Sequence, residues 1–423
     1  MPRSLALFAL LSLLAGAARA TDKSESPSSA KPLCAGFPRL ALKTGKGLCT
    51  GLVARNLGYL RGITIVGDDV WLADMGGWRK GHGRLLRIGQ RGRGKVEVML
   101  TRLDQPNALL TLPNGKILLG SAGRIDIIDP VAARPGHVIL DPLMNALPDG
   151  GRHPVPAMAA ATDGTLYVNI GSATDHCEGD GNAAPAPKLV CPETQETPPR
   201  GSIISTRWDH PQKLAIPASQ ATVVARGLRN SMALALDPWS RLWAAVNARD
   251  FINLADPALS DELLPPDTMV RVSNGADYGW PQCYGMLQTS PEYKGFDCNS
   301  KTAPTLLLPA HAAPLGMIHV ADSHALGPLR GGFLIAYHGY RKTGHRIVWL
   351  QMTHSGDPMG EPIDVVWDWE SHAASSSKQK RAFSEDGTSN IQGSPVALAQ
   401  LEDGSVLVTD DHNGTLIEIA AER

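Results

Sequence analysis

Three groups of residues stand where side chains could do chemistry. His153 lies in GRHPVPAMAAATDGTLYVNIGS, just ahead of an alternating apolar run and so at the mouth of an expected strand. An imidazole with an ordinary pKa near 6.5 can accept a proton at neutral pH. A strand-end histidine can equally be a plain loop residue. Arg229 and Asn230 follow in GLRN. The guanidinium carries five donors in a fixed fork and suits a carboxylate or another anionic oxygen, on a ligand or on a neighbouring element. The third group is the loop 248–267, with Asp250, Asp256, Asp261, Glu262 and Asp267. Calcium takes six to eight oxygen ligands, which such a loop can supply, although acidic surface loops are also simply solvated.

The elements that position these groups come from one repeated unit. A small or polar residue leads into an alternating apolar run, then a turn, then a second apolar run. Period-two alternation across a tight turn predicts a β-hairpin. The unit occurs at 62–74, 107–121, 156–172, 231–247, 316–339 and 394–411. Further strands are predicted at 84–89, 96–100, 124–129, 201–208, 221–228, 267–273, 346–352 and 364–369. Each repeat then supplies about four strands, the content of one propeller blade. A single blade cannot bury both faces of its sheet, so the copies must stack around an axis. The expected fold is all-β, a six-bladed β-propeller with four-stranded antiparallel blades. A strand near 51–56 is expected to complete the last blade and lock the ring. Insertions are expected at 173–200, 248–266, 286–310 and 370–393.

The first twenty residues read as an export signal. MPRS is a basic start, LALFALLSLLAGA an apolar core, and Ala18-Arg19-Ala20 a cleavage site. Residues 21–45 are expected to be a tail and 46–423 the propeller. The six cysteines fall as neighbouring pairs, Cys34 with Cys49, Cys177 with Cys191 and Cys283 with Cys298. Local disulfides in an oxidising compartment explain them better than zinc, because no C-x-x-C is present. The expected location is secreted or periplasmic, with no membrane span in the mature chain. Charge is balanced, 40 Lys+Arg against 41 Asp+Glu, so nothing marks a nucleic-acid partner. There is no nucleophile elbow, phosphate-binding loop or dinucleotide fingerprint. Without a C-x-x-C-H haem motif, electrons from any redox step must leave to a separate acceptor.

The segments GLRNSMALALD, LPPD, NGADYGWPQCYG, HAAPLGM, FLIAYHG and GSPVALAQLEDGSVLVTDD, in that order, resemble the soluble quinoprotein glucose/sorbosone dehydrogenase family. The likeness runs from about residue 55 to the C-terminus and is most specific over 227–285. It implies pyrroloquinoline quinone (PQQ) and calcium at the propeller axis and oxidation of a sugar or polyol. On this resemblance His153 is the base that takes the substrate hydroxyl proton as hydride passes to the quinone. Arg229 and Asn230 lie against the cofactor, and His338 and Arg341 in AYHGYRK contribute further contacts. Ala248 and Arg249 hold calcium through backbone carbonyls, with Asp250 nearby. Asp277, Tyr278 and Trp280 shape the pocket wall or simply pack. Two departures stand out. Pro154-Val155-Pro156 follows His153 where relatives carry an arginine, and Ser394 stands where many carry an arginine for the cofactor carboxylates. The alternatives are a metal-dependent lactonase and a propeller that binds carbohydrate or protein without turnover.

Overall fold

The computed structural model describes residues 33–178, 190–209, 214–369 and 393–422. The expected leader lies outside these residues. Six small sheets follow one another around a common axis. The first strands of the blades are Leu60–Val66, Ala108–Thr111, Met158–Ala160, Ala233–Leu236, Pro314–Val320 and Pro395–Gln400. Each of these touches the first strand of the next blade, and the sixth touches the first, so the ring is closed. The first strands line a central cavity of about 320 Å³.

The hairpin reading is borne out in all six blades, since each first strand pairs antiparallel with the second. The blades are not uniformly four-stranded. Blades 2 and 3 gain a parallel edge, Ile216–Pro217 and Ala276–Asp277, and blade 5 gains antiparallel Lys43–Thr44. Those short strands come from connections that pass along a sheet edge and satisfy its unpaired backbone groups. Residues 306–310, read as part of an insertion, form the outer strand of blade 4. Thr415–Ala421 supplies a strand of blade 6 that the repeat pattern does not announce.

Strand Leu48–Ala54 pairs with Thr415–Ala421, so the N-terminal part of the chain closes the C-terminal blade. Residues 33–44, read with the tail, are structured too. Leu33–Cys34 and Phe37–Pro38 pair, and the Cys34–Cys49 disulfide ties them to the closing strand.

The apolar core is six cores, one in each gap between blades. Leu60, Val70 and Leu86 of blade 1 meet Leu407 and Leu416 of blade 6. Trp243 of blade 4 meets Phe333 of blade 5, ring centroids 5.7 Å apart. This explains strands that are apolar on both faces: an inner blade is covered on each side. Among the described residues the one α-helix is Ile252–Ala255, and no helix is long and apolar enough to cross a membrane.

The two remaining disulfides, Cys177–Cys191 and Cys283–Cys298, also join sequence neighbours as expected. Cys283–Cys298 closes a loop with a sequence separation of 15. Replacing both cysteines with serine is expected to lower unfolding stability by about 3 kcal/mol, from the chain entropy returned to the unfolded state. Urea unfolding of the double variant checks this; an unchanged midpoint would refute it.

Candidate active site

Strand direction places the site. In every blade the first strand starts, and the second ends, at the same end of the cavity. Residues just before first strands and just after second strands therefore meet there, including Asn107, Arg229, Asn230, Asn247, His338 and Asp411. Arg61, one residue into its strand, joins them.

His153 is held by the second strand of its own blade. Its Nδ1 lies 2.9 Å from the Ser172 carbonyl oxygen and 3.0 Å from Ser172 Oγ. A carbonyl only accepts, and the Ser172 hydroxyl donates to the Thr174 carbonyl at 2.6 Å. Nδ1 therefore carries the proton, and Nε2 is the lone-pair nitrogen. Burial, and then the Arg229 guanidinium, push the His153 pKa down to about 3. The ring is neutral at neutral pH. Gly171 permits this seat, because a Cβ there would fall 2.4 Å from His153 Cβ.

Arg229 is joined to the same point, since the Ser172 N–H donates to its carbonyl at 2.8 Å. Its side chain is buried and paired with Asp175, which also accepts from Arg229 Nε through its carbonyl at 3.0 Å. Nη1 reaches the Asn247 carbonyl at 3.3 Å. Burial works against the Asp175 charge, but Arg229 and His176 hold its pKa well below the usual carboxylate range. The buried Asn230 Oδ1 and Asn247 Oδ1 have no hydrogen-bond partner within the protein. A buried amide oxygen left unpaired costs free energy and points to a ligand that completes it.

The 248–250 turn is clamped from beneath. Asp267 accepts from the Ala248 N–H at 2.7 Å and from the Ala313 N–H at 2.6 Å, joining blade 4 to blade 5. Burial raises its pKa to about 6. The Asp250 N–H donates to both Asp175 oxygens at 3.2 Å. Asp250 Oδ1 lies 3.0 Å from His311 Nδ1, and His311 Nε2 donates to the Asp261 carbonyl. With an acceptor on each nitrogen the charged imidazolium is favoured: burial opposes it, yet these two contacts raise the His311 pKa. The Arg249 side chain pairs with buried Glu292 and donates from Nε to the Asp250 carbonyl at 3.2 Å.

Across the cavity mouth, Arg61 Nη1 binds Asp411 at 2.9 Å and Arg61 Nε binds Asn107 at 3.1 Å. His338 Nε2 is 3.1 Å from both Asp411 oxygens. Burial lowers the His338 pKa to about 4 although Asp411 opposes the shift. Arg341 binds Asp261 through its carbonyl at 2.8 Å and its carboxylate at 2.6 Å. Ser394 is fully buried, with its hydroxyl 3.3 Å from His345 Nδ1 and 3.4 Å from His412 Nδ1. Its seat is a packing position, and Arg61 of the adjacent blade reaches Asp411 of the same blade.

The low His338 pKa has a measurable consequence. A buried neutral histidine binds its proton later than the unfolded chain does. Its contribution is therefore full above pH 6.5 and is lost as pH falls from 6.5 towards 4. His338→Asn is expected to flatten the stability curve between pH 6 and pH 4 by about 1.4 kcal/mol per pH unit. Urea titrations at pH 6, 5 and 4 read this; an unchanged slope would contradict neutral burial.

The structure thus brings His153, Arg229, Asn230 and the 248–250 turn together at one mouth; Arg341 joins the turn through the Asp261 carbonyl it shares with His311, and His338 meets Asp411. Asp277 accepts from Lys301 at 2.7 Å and Tyr278 donates to the Arg271 carbonyl at 3.0 Å, so both serve packing. Trp280 Nε1 donates to the Asp175 carbonyl at 3.1 Å. Residue-by-residue reading missed Arg61, Asp175, His311 and Asp411, and took Asp267 for a possible calcium ligand where it clamps the turn instead. Aligning the six hairpins on the ends of their second strands would have found Asp411, beside Ser172, Asn247 and His338.

Solved structures share this fold. The holo form of the pyranose dehydrogenase PQQ domain from Coprinopsis cinerea superposes with a TM-score of 0.67 at 20% identity, over 92% of this chain and 99% of that one. The fold is that of PQQ-binding sugar dehydrogenases. The calcium structure of Trichoderma reesei Carbohydrate-Active Enzymes Family AA12 gives 0.68 at 16% identity over 91% and 98%. The PQQ-bound aldose sugar dehydrogenase from Streptomyces coelicolor gives 0.55 at 15% over 90% and 100%. No family model matches the chain. An uncharacterized protein from Borreliella burgdorferi is 26% identical over 207 residues, 48% of this chain and 49% of its own. The chain therefore spans about half the length of that curated relative.

Proposed function

We propose that the chain is an exported PQQ-dependent oxidoreductase that oxidises an aldose, a sorbosone-like sugar or a related alcohol. The observation that carries this reading is the neutral His153, its Nε2 bearing the lone pair, packed beside Arg229 and Asn230 at the cavity mouth. The donor set fits both groups. Unpaired Asn230 Oδ1 and Asn247 Oδ1, the carbonyls of Ala248 and Arg249, and Asp250 are oxygen ligands suited to calcium. Arg229, Arg61 and the Asn230 amide are donors suited to an anionic quinone. When bound, PQQ would supply the hydride acceptor and calcium the Lewis acid that polarises it.

The chain's own residues do the rest. His153 Nε2 receives the proton of the substrate hydroxyl, and the Ser172 carbonyl keeps that tautomer in place. Asp175 fixes the Arg229 fork, so its orientation is set before any ligand arrives. Asp267 fixes the turn that offers Ala248 and Arg249. Three disulfides belong to an oxidising compartment and support export. Electrons would pass to a separate acceptor.

The test is reconstitution of purified protein with PQQ and calcium, followed by dye reduction across a panel of aldoses and polyols. Substrate-dependent reduction that disappears on chelation is the expected result. No cofactor absorbance and no turnover would end this reading in favour of a propeller that only binds. Lactone hydrolysis sensitive to chelators would point to the lactonase.

A further inference from the structure

We propose that His338, Asp411 and His412 form a site for a divalent transition-metal ion of the zinc class. It shares no residue with the calcium donors described above. The three side chains come together because two second strands end side by side. His338 is the residue after Gly332–Tyr337 of blade 5, and Asp411 and His412 follow Val406–Asp410 of blade 6. Each offers one ligand atom, and these atoms all lie within 4.8 Å of one another. Among the described residues the other such group is Cys177, Cys191 and Glu193, whose sulfurs are joined in a disulfide.

Two atoms that each bind one zinc ion at about 2.1 Å stand about 3.0–3.4 Å apart at octahedral or tetrahedral angles. His338 Nε2 is 3.1 Å from Asp411 Oδ1, inside that range. His412 Nε2 is 4.0 Å from the same oxygen, so its ring alone has to close in, by roughly half an ångström. It is also the ligand with room to do so, its side chain being 17% exposed against 5% for His338 and 0% for Asp411. The carboxylate is fixed before any ion arrives. Arg61 Nη1 donates to Oδ2 at 2.9 Å, and the Tyr59 hydroxyl donates to the same group. Two imidazoles with one carboxylate suit zinc and its neighbours, whereas calcium seeks six to eight oxygens. Three protein ligands leave at least one position for water or another oxygen donor. Arg61 already balances Asp411, so an anionic oxygen is favoured there. The ion would join blade 5 to blade 6, beside the Arg61–Asp411 pair that joins blade 6 to blade 1.

The test uses the full chain, stripped of metal with a chelator and free of PQQ. Calorimetric titration with zinc chloride is expected to show one ion per chain that excess calcium does not displace. Zinc at about a hundred times its Kd should raise Tm by about 3 °C through mass action. His412→Ala should weaken zinc binding about 100-fold or more. Its metal-free form should melt like wild type, because that ring is partly exposed. His338→Ala should show the same loss of binding from the other blade. No zinc bound by wild type, zinc displaced by calcium, or affinity within threefold of wild type in His412→Ala would each overturn the site. None of these readouts needs PQQ or turnover. The zinc site therefore stands if PQQ fails to load, and the oxidoreductase reading stands if zinc fails to bind.

Discussion

His153→Ala is expected to lower kcat/KM for sugar oxidation by about 10²- to 10⁴-fold while PQQ still binds. That range is the usual share of a positioned general base. The expectation follows from the tautomer: the Ser172 carbonyl takes the Nδ1 proton, so Nε2 is the basic atom. His153→Asn tests the atom, because an amide can keep the Ser172 contact without a basic nitrogen in the Nε2 position. It should be as slow as alanine. A pKa near 3 also sets the pH profile. The base is unprotonated through the whole neutral range, so kcat/KM should show no acid limb between pH 6 and 7 from this group. Dye reduction by reconstituted variants, with cofactor absorbance read separately, decides the matter. Turnover within a factor of three of wild type would remove His153 from the mechanism.

Arg229→Ala is expected to cost about 3–5 kcal/mol of stability as well as activity. Removing the guanidinium leaves Asp175 buried without its partner, and an uncompensated buried charge is among the most destabilising lesions. It also frees the Asn247 carbonyl and leaves the Asp175 carbonyl with Trp280 Nε1 alone of its two side-chain donors. Arg229→Ala with Asp175→Asn should recover part of the loss, since the stranded charge is gone. Unfolding in urea, read for both singles and the double, gives the coupling between them. If Arg229→Ala melts like wild type, no uncompensated buried charge is left behind and the pair does not hold Asp175 as described.

The fold was legible because a propeller repeats. Six alternating hairpins can be counted from apolar spacing alone, and the same count requires a closing ring. The cysteine pairs were legible for a similar reason, each pair being near neighbours in the chain. His153, Arg229 and Asn230 stood out at strand mouths, where a backbone of fixed direction must aim them at the axis. Ser394 and Arg249 were harder. Position 394 looks open to a ligand in the sequence, yet its side chain packs under His345 and His412. Arg249 beside an acidic turn looks awkward until Glu292, 43 residues on, takes its charge.

Sequence by itself determined the repeat, the blade count, the disulfide partners and which strand mouths carry polar groups. These follow from local periodicity and short-range spacing. Tertiary structure decided everything that depends on closing the circle. Arg61 meets Asp411 across 350 residues, and blade 1 receives its neighbour only when residues 48–54 complete blade 6. Which carboxylate neutralises which guanidinium is fixed by contacts between distant segments that no local pattern encodes.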